Sequence, residues 1–223
     1  MNENFKGKMI PDEISGQYDV EKKSNLRKFY DSSKILIFFF LGIILIIILT
    51  FTITTYLQNK KKTSIANEYI SANVYLQNGN TADALSTLNK IIYADDSTYS
   101  SMSLFLIVNE KIEKDNKKIL ALFDHVLENN EFDDEIENLI ILKKAIFETN
   151  FNDEQLILNT LKPLINKETI WKAHALMLAG DYYLSQGENL KAKEFFLKIL
   201  SIDNLNVEIE ELANYQLQLI KND

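Results

Sequence analysis

The chain has no cysteine, and that absence removes disulfide bridges, cysteine-ligated zinc and thiol catalysis together. It also implies no redox compartment. Histidine is nearly as scarce: there are only His125 and His174, and no H-E-x-x-H, G-x-S-x-G or glycine-rich phosphate loop accompanies them. Each sits in a helical pattern, "LFDHVLENN" and "WKAHALML", where a packed or half-exposed histidine is the ordinary role. Two prolines and six glycines among 223 residues leave few places for a sharp turn. Basic charge is short as well. The net charge is -8, and it is unevenly spread, because residues 1–34 carry seven Lys/Arg against six Asp/Glu and Lys60, Lys61 and Lys62 add three more. Residues 63–223 hold 14 basic and 26 acidic side chains, a balance of -12. Such a surface repels phosphate backbones and no basic stripe interrupts it, so nucleic acid is not an expected partner. The cluster Glu131, Asp133, Asp134, Glu135 and Glu137 lacks the spacing of a calcium loop. Acids in the first turn of a helix answer its dipole, which is sufficient reason for them. No catalytic residue, metal, cofactor or small-molecule substrate is expected, and the chain does not read as an enzyme.

What is present begins with "ILIFFFLGIILIIILTFTITTYL", residues 35–57. No charge lies between Lys34 and Lys60, and the run exceeds the ~20 apolar residues that cross a bilayer as a helix. The expectation is one uncleaved transmembrane helix, since a 34-residue segment precedes the run and no A-x-A cleavage site follows it. Lys22, Lys23, Arg27, Lys28 and Lys34 flank it on one side and Lys60, Lys61 and Lys62 on the other. That bias places residues 1–34 in the cytoplasm and the acidic remainder outside it.

From Thr63 the pattern is helical without a convincing strand. Turn-like breaks near Gly79, Asp115, Phe151 and Gly187 recur every 36 residues. Each unit reads as helix, turn, helix, and the fourth is "HALMLAGDYYLSQGENLKAKEFFLKIL". At this spacing Tyr69, Phe105, Ile141 and Met177 coincide, as do Ile70, Leu106, Leu142 and Leu178, an apolar stripe that stacking of the units would bury. The expected fold is all-α: the transmembrane helix, about four helix pairs over 63–206, and a helix over 207–223 that covers the last pair.

In the fourth unit Leu176, Ala179, Gly180, Tyr183, Ala192 and Phe196, with Gly187 in the turn, resemble the tetratricopeptide pattern. Gly180 and Ala192 are expected where paired helices come close, with Tyr183 and Phe196 packed around them. The first unit repeats this with Ala72, Tyr75, Gly79, Ala84, Leu88 and Ile91. Units two and three depart from the pattern: Val108 and Lys144 stand for the glycine, Leu120 and Leu156 for the alanine. The stretches "LRKFYDSSK", "ADDSTYSSMSLFLI" and "ALMLAGDYYLSQGENLKAKEFF" resemble a narrower group, the membrane-anchored tetratricopeptide-like proteins of bacteria typified by the ancillary subunit of the Sec translocon. The resemblance runs from about Leu26 to Ile220.

It implies a single-pass inner-membrane protein with a periplasmic repeat domain, in contact with the translocon and assisting or chaperoning exported proteins. The tail before Ser24 has no counterpart in that group. A scaffold for a cell-envelope complex, without client binding, is the alternative. Tyr75 and Tyr182, near the turn end of the best-preserved units, are the candidate partner-contacting residues.

Overall fold

The computed structural model describes the backbone of residues 13–151 and 153–222, and their side chains from Arg27 onward except at Asp31, Ile37 and Asn222. Residues 1–12 of the expected N-terminal segment therefore lie outside the described residues. The chain divides into two units, Met1–Lys61 and Lys62–Asp223.

The first unit is helical from Glu13 onward, within the helix α1 (Glu13–Gln77). The stretch Ser32–Gln77 contains a window of mean hydropathy 3.1, and is long and apolar enough to cross a membrane. Phe38 through Leu49 are apolar on every side and exposed. Three hydroxyls just beyond this run are satisfied inside the helix. Thr50 and Thr52 donate to the carbonyls of Ile46 and Ile48 at 2.8 Å each, and Thr54 to that of Phe51 at 2.9 Å. These three donors are thereby kept from an apolar surrounding.

The second unit is a row of helical hairpins. After the end of α1 come α2 (Thr81–Ile92), α3 (Ser97–Asn109), α4 (Asn116–Asn129), α5 (Asp134–Glu148), α6 (Glu154–Asn166), α7 (Lys172–Ser185), α8 (Asn189–Leu200) and α9 (Val207–Asn222). Each packs on the next from α2 to α9, and α5 touches α7 as α7 touches α9. Side chains that favour helix starts sit where helices start: Asn80, Asp96, Asp115 and Asp153 accept hydrogen bonds from the backbone N–H groups of Asp83, Tyr99, Lys117 and Leu156. Gly79 and Gly187 lie in the first and fourth hairpin turns with φ of +74° and +75°, a left-handed conformation that costs glycine nothing.

Two clusters of buried side chains fill the unit. One joins Ile65 and Ala72 of α1 to α2, α3, α4 and Ile140 of α5; the other runs from Leu142 of α5 to Ala213 of α9. Helix α5 serves both, so the cores meet within one element.

The 36-residue register holds for the turns but not for every second helix. Ala84, Leu88 and Ile91 of α2 and Ala192, Phe196 and Ile199 of α8 are fully buried. Their counterparts in α4 are Ile119, Phe123 and Val126, one position earlier than the period predicts; in α6 they are Ile157, Leu161 and Leu164, one position later. Leu120 and Leu156, assigned to the alanine site from sequence, are only half-buried. The slippage has a physical origin in the connections. Residues 110–115 and 149–153 are longer than the turns 78–80 and 186–188, and each delivers its second helix at a different phase. The stripe of first-helix residues is corrected similarly. Leu142 is buried and Leu106 and Leu178 half-buried, but Ile70 is 61% exposed, because among the described residues nothing covers that side of α1.

Candidate interaction surface

The best-preserved hairpin, α7 with α8, is built around the contact its sequence suggests. Ala192 and Phe196 of α8 are fully buried against α7, and the Phe196 ring lies where a side chain on Gly180 would stand. Tyr183 is buried, stacks on Phe195 with ring centroids 5.5 Å apart, and donates its hydroxyl to Glu154 Oε1 of α6 at 2.6 Å. Burial, then the hydrogen bond to Glu154, pushes the Tyr183 phenol up to about 12, so it is a permanent donor at physiological pH. Glu154 is held below the usual carboxylate range by the Tyr183 hydroxyl and by Lys191, 3.3 Å away. Tyr183 thus fastens the fourth hairpin to the third.

The two tyrosines expected to contact partners part company. Tyr75, in the last turn of α1, is 37% exposed and stands about 100° round the helix from exposed Val74, which shares a face with exposed Ile70. Tyr182 is 6% exposed and belongs to the core of the last hairpins, so its candidacy is corrected. The reason lies in the phase of α7. Met177, Leu176, Ala179, Tyr182 and Tyr183 are all buried, which shows a helix covered on most of its circumference by α6, α8 and α9. Helix α1 buries Ile65 and Ala72 in the core, but at its turn end Ile70 and Val74 stay exposed on one face. Ile70 and Val74 were absent from the sequence-based site because one sequence cannot tell an apolar residue awaiting a neighbour from one that has it.

Residues outside the tetratricopeptide pattern also acquire places. Trp171, at the start of α7, donates its indole Nε1–H to the backbone carbonyl of Glu135 at the start of α5, at 2.8 Å, and so ties successive hairpins together. His174 lies beside it, with ring centroids 5.6 Å apart. His125 meets Asp95 at 2.9 Å and rests against the Tyr93 ring. Asp134, Glu135 and Glu137 occupy the first turn of α5. Glu148 is the unforeseen residue. Its side chain is fully buried, receives the Thr160 hydroxyl on Oε1 at 3.1 Å, and leaves Oε2 without a partner. Burial raises its carboxyl above the usual range, against the pull of Thr160 and Lys144. The one sign of it in the sequence is the apolar company it keeps in "ILKKAIFE", a signal shared by many exposed glutamates.

This arrangement offers surfaces for other proteins: a row of paired helices, acidic overall, with Ile70, Val74 and Tyr75 exposed near the turn end of α1. No curated protein gives a significant match to the sequence. Residues 27–221 match the family described as tetratricopeptide repeat-like domain. With that match over most of its length, and with stacked hairpins of the corresponding form, the chain belongs to the tetratricopeptide repeat-like domain family.

Proposed function

We propose that the protein is a membrane-anchored protein-interaction module that assists exported proteins close to the Sec translocon. The observation that carries this reading is the combination, in one chain, of a helix apolar enough to cross a membrane and a row of stacked hairpins that leaves Ile70, Val74 and Tyr75 exposed near the turn end of α1. The apolar helix acts as an uncleaved anchor, with the N-terminus in the cytoplasm and the repeats in the periplasm. The excess of Lys and Arg before the run supports that orientation. Proximity to the translocon rests on the resemblance carried by "LRKFYDSSK", "ADDSTYSSMSLFLI" and "ALMLAGDYYLSQGENLKAKEFF". Tyr75 provides the apolar contact, while the acidic surface steers basic partners toward it. The module works by binding and requires neither cofactor nor catalytic residue.

The test is what copurifies with the full chain from gently solubilised membranes. Translocon subunits together with exported precursors are expected. Recovery of envelope-assembly proteins alone would replace this reading with that of a scaffold that binds no clients.

A further inference from the structure

Two clefts of about 550 Å³ each open on the same edge of the repeat unit, where first helices begin. One lies between the start of α3 and the start of α5 and is lined by Ser97, Thr98, Met102, Phe132, Asp133 and Ile136. The other lies between the starts of α7 and α9 and includes Ile170, His174, Ile202, Leu205 and Ile209. They are the same feature repeated. Two periods of 36 residues carry Ser97, Thr98, Ser101 and Met102 onto Thr169, Ile170, Ala173 and His174, all of which line the second cleft.

Each cleft combines open apolar surface with an acidic rim. Met102 is 40% exposed and Ile136 45% in the first, and Ile170 67% in the second. Glu131 and Asp133 border the first with no lysine or arginine in its lining, and Asp133 makes no side-chain capping bond. Glu135, Glu168 and Asp203 border the second, where the single lysine, Lys172, is already paired with Glu168. Between them, the Trp171–Glu135 hydrogen bond fixes the spacing of the intervening hairpins. Helix α5 packs on α7 and α7 on α9; two steps of the about 8–10 Å usual for such packing put the clefts roughly 16–20 Å apart, which an extended chain covers in about five or six residues.

We infer that this edge is a docking surface for an extended basic polypeptide segment carrying two apolar side chains about five or six residues apart, one for each cleft. Acidic rims select Lys or Arg around the anchors, and the clefts themselves bury the apolar groups. The surface is separate from Tyr75, and the inference rests on the reading of the unit as a binder of proteins.

The test uses the full chain in phosphatidylcholine nanodiscs and a fluorescent peptide of about twelve residues, lysine-rich, with two leucines five positions apart. Fluorescence anisotropy should show binding that empty nanodiscs lack. Replacing the lysines by glutamate should abolish it. The variant Met102→Ser/Ile136→Ser should weaken it at least about fivefold, as one anchor is lost. Glu131→Gln/Asp133→Asn should weaken it at low salt and reduce its salt dependence. Tyr75→Ala should leave it unchanged, and circular dichroism should show every variant folded.

Equal binding of the lysine and glutamate peptides would overturn the inference, as would full affinity in both cleft variants. Loss of binding in Tyr75→Ala alone would also overturn it while leaving the interaction-module reading in place. Absence of any peptide binding would remove the docking edge, and the copurification experiment would still decide the broader function on its own.

Discussion

The ring of Phe196 lies directly against Gly180: a Cβ placed on that glycine would stand 2.5 Å from Cε1 and 2.8 Å from Cζ of the ring. Both residues are buried, and the ring belongs to the helix opposite. A glycine in a helix interior costs roughly 0.5–1 kcal/mol relative to alanine. Here that cost is offset by a close crossing of α7 and α8 that admits a full aromatic ring between them.

Substitution of Gly180 by leucine should therefore overpack the fourth hairpin and destabilise the repeat unit by about 1–3 kcal/mol or more. The same change at Asn78, exposed in the first hairpin turn, should cost much less. Thermal unfolding of the two full-length variants checks this; equal midpoints would contradict the contact.

Glu148 should make stability depend on pH. Its folded-state pKa is raised, chiefly by burial, with Lys144, Asp124 and Asp153 as the charged neighbours. The protonated carboxyl is thus the form the fold prefers. The associated stability is present below the unfolded value of about 4.3 and is lost as pH rises through the higher folded value. Glu148→Gln should melt above the parent at pH 7, with the gap closing toward pH 4. Lys144 keeps Asp124 as a partner at 2.6 Å in either case. A gap that does not change with pH would show that Glu148 does not titrate in this way.

Trp171→Phe should keep most of the packing and lose the indole hydrogen bond to Glu135, a loss of about 1 kcal/mol. Amide exchange should accelerate at the starts of α5 and α7 more than in α2 or α3. Uniform acceleration across all helices would instead assign Trp171 a general role in the core.

The two tyrosines should behave oppositely. Tyr182→Ala empties a buried site and should destabilise the unit by about 3–5 kcal/mol. Tyr75→Ala should leave melting nearly unchanged and release copurifying proteins, with the remaining contact weakened further by salt. Retention of all partners by folded Tyr75→Ala would move the binding face elsewhere.

A reporter active only outside the cytoplasm, fused after Asp223, should be active. Inactivity there, with activity of a fusion at the N-terminus, would reverse the orientation and exclude a periplasmic role.

Much of the fold was legible in the residues because its signals are local. An apolar run without charge, 3.6-residue periodicity and glycine at two turns each act within a few residues. Spacing located the four hairpin turns, and the resemblance to the tetratricopeptide pattern located the close Gly180–Phe196 approach. The one-residue shifts in α4 and α6 were not legible, because a period assumes equal connections, and the longer segments 110–115 and 149–153 change the phase of the helix that follows.

The sequence by itself determined the helices, their pairing order and the apolar segment, since backbone preference and periodicity are properties of neighbouring residues. Only the tertiary structure decided which apolar side chains face a neighbour and which face outward. Tyr182 went inside because α6, α8 and α9 surround α7, Tyr75 stayed outside because α1 opens the row, and Glu148 was buried because α6 closed over it. Burial is fixed by what comes to lie opposite a residue, and that partner is distant along the chain.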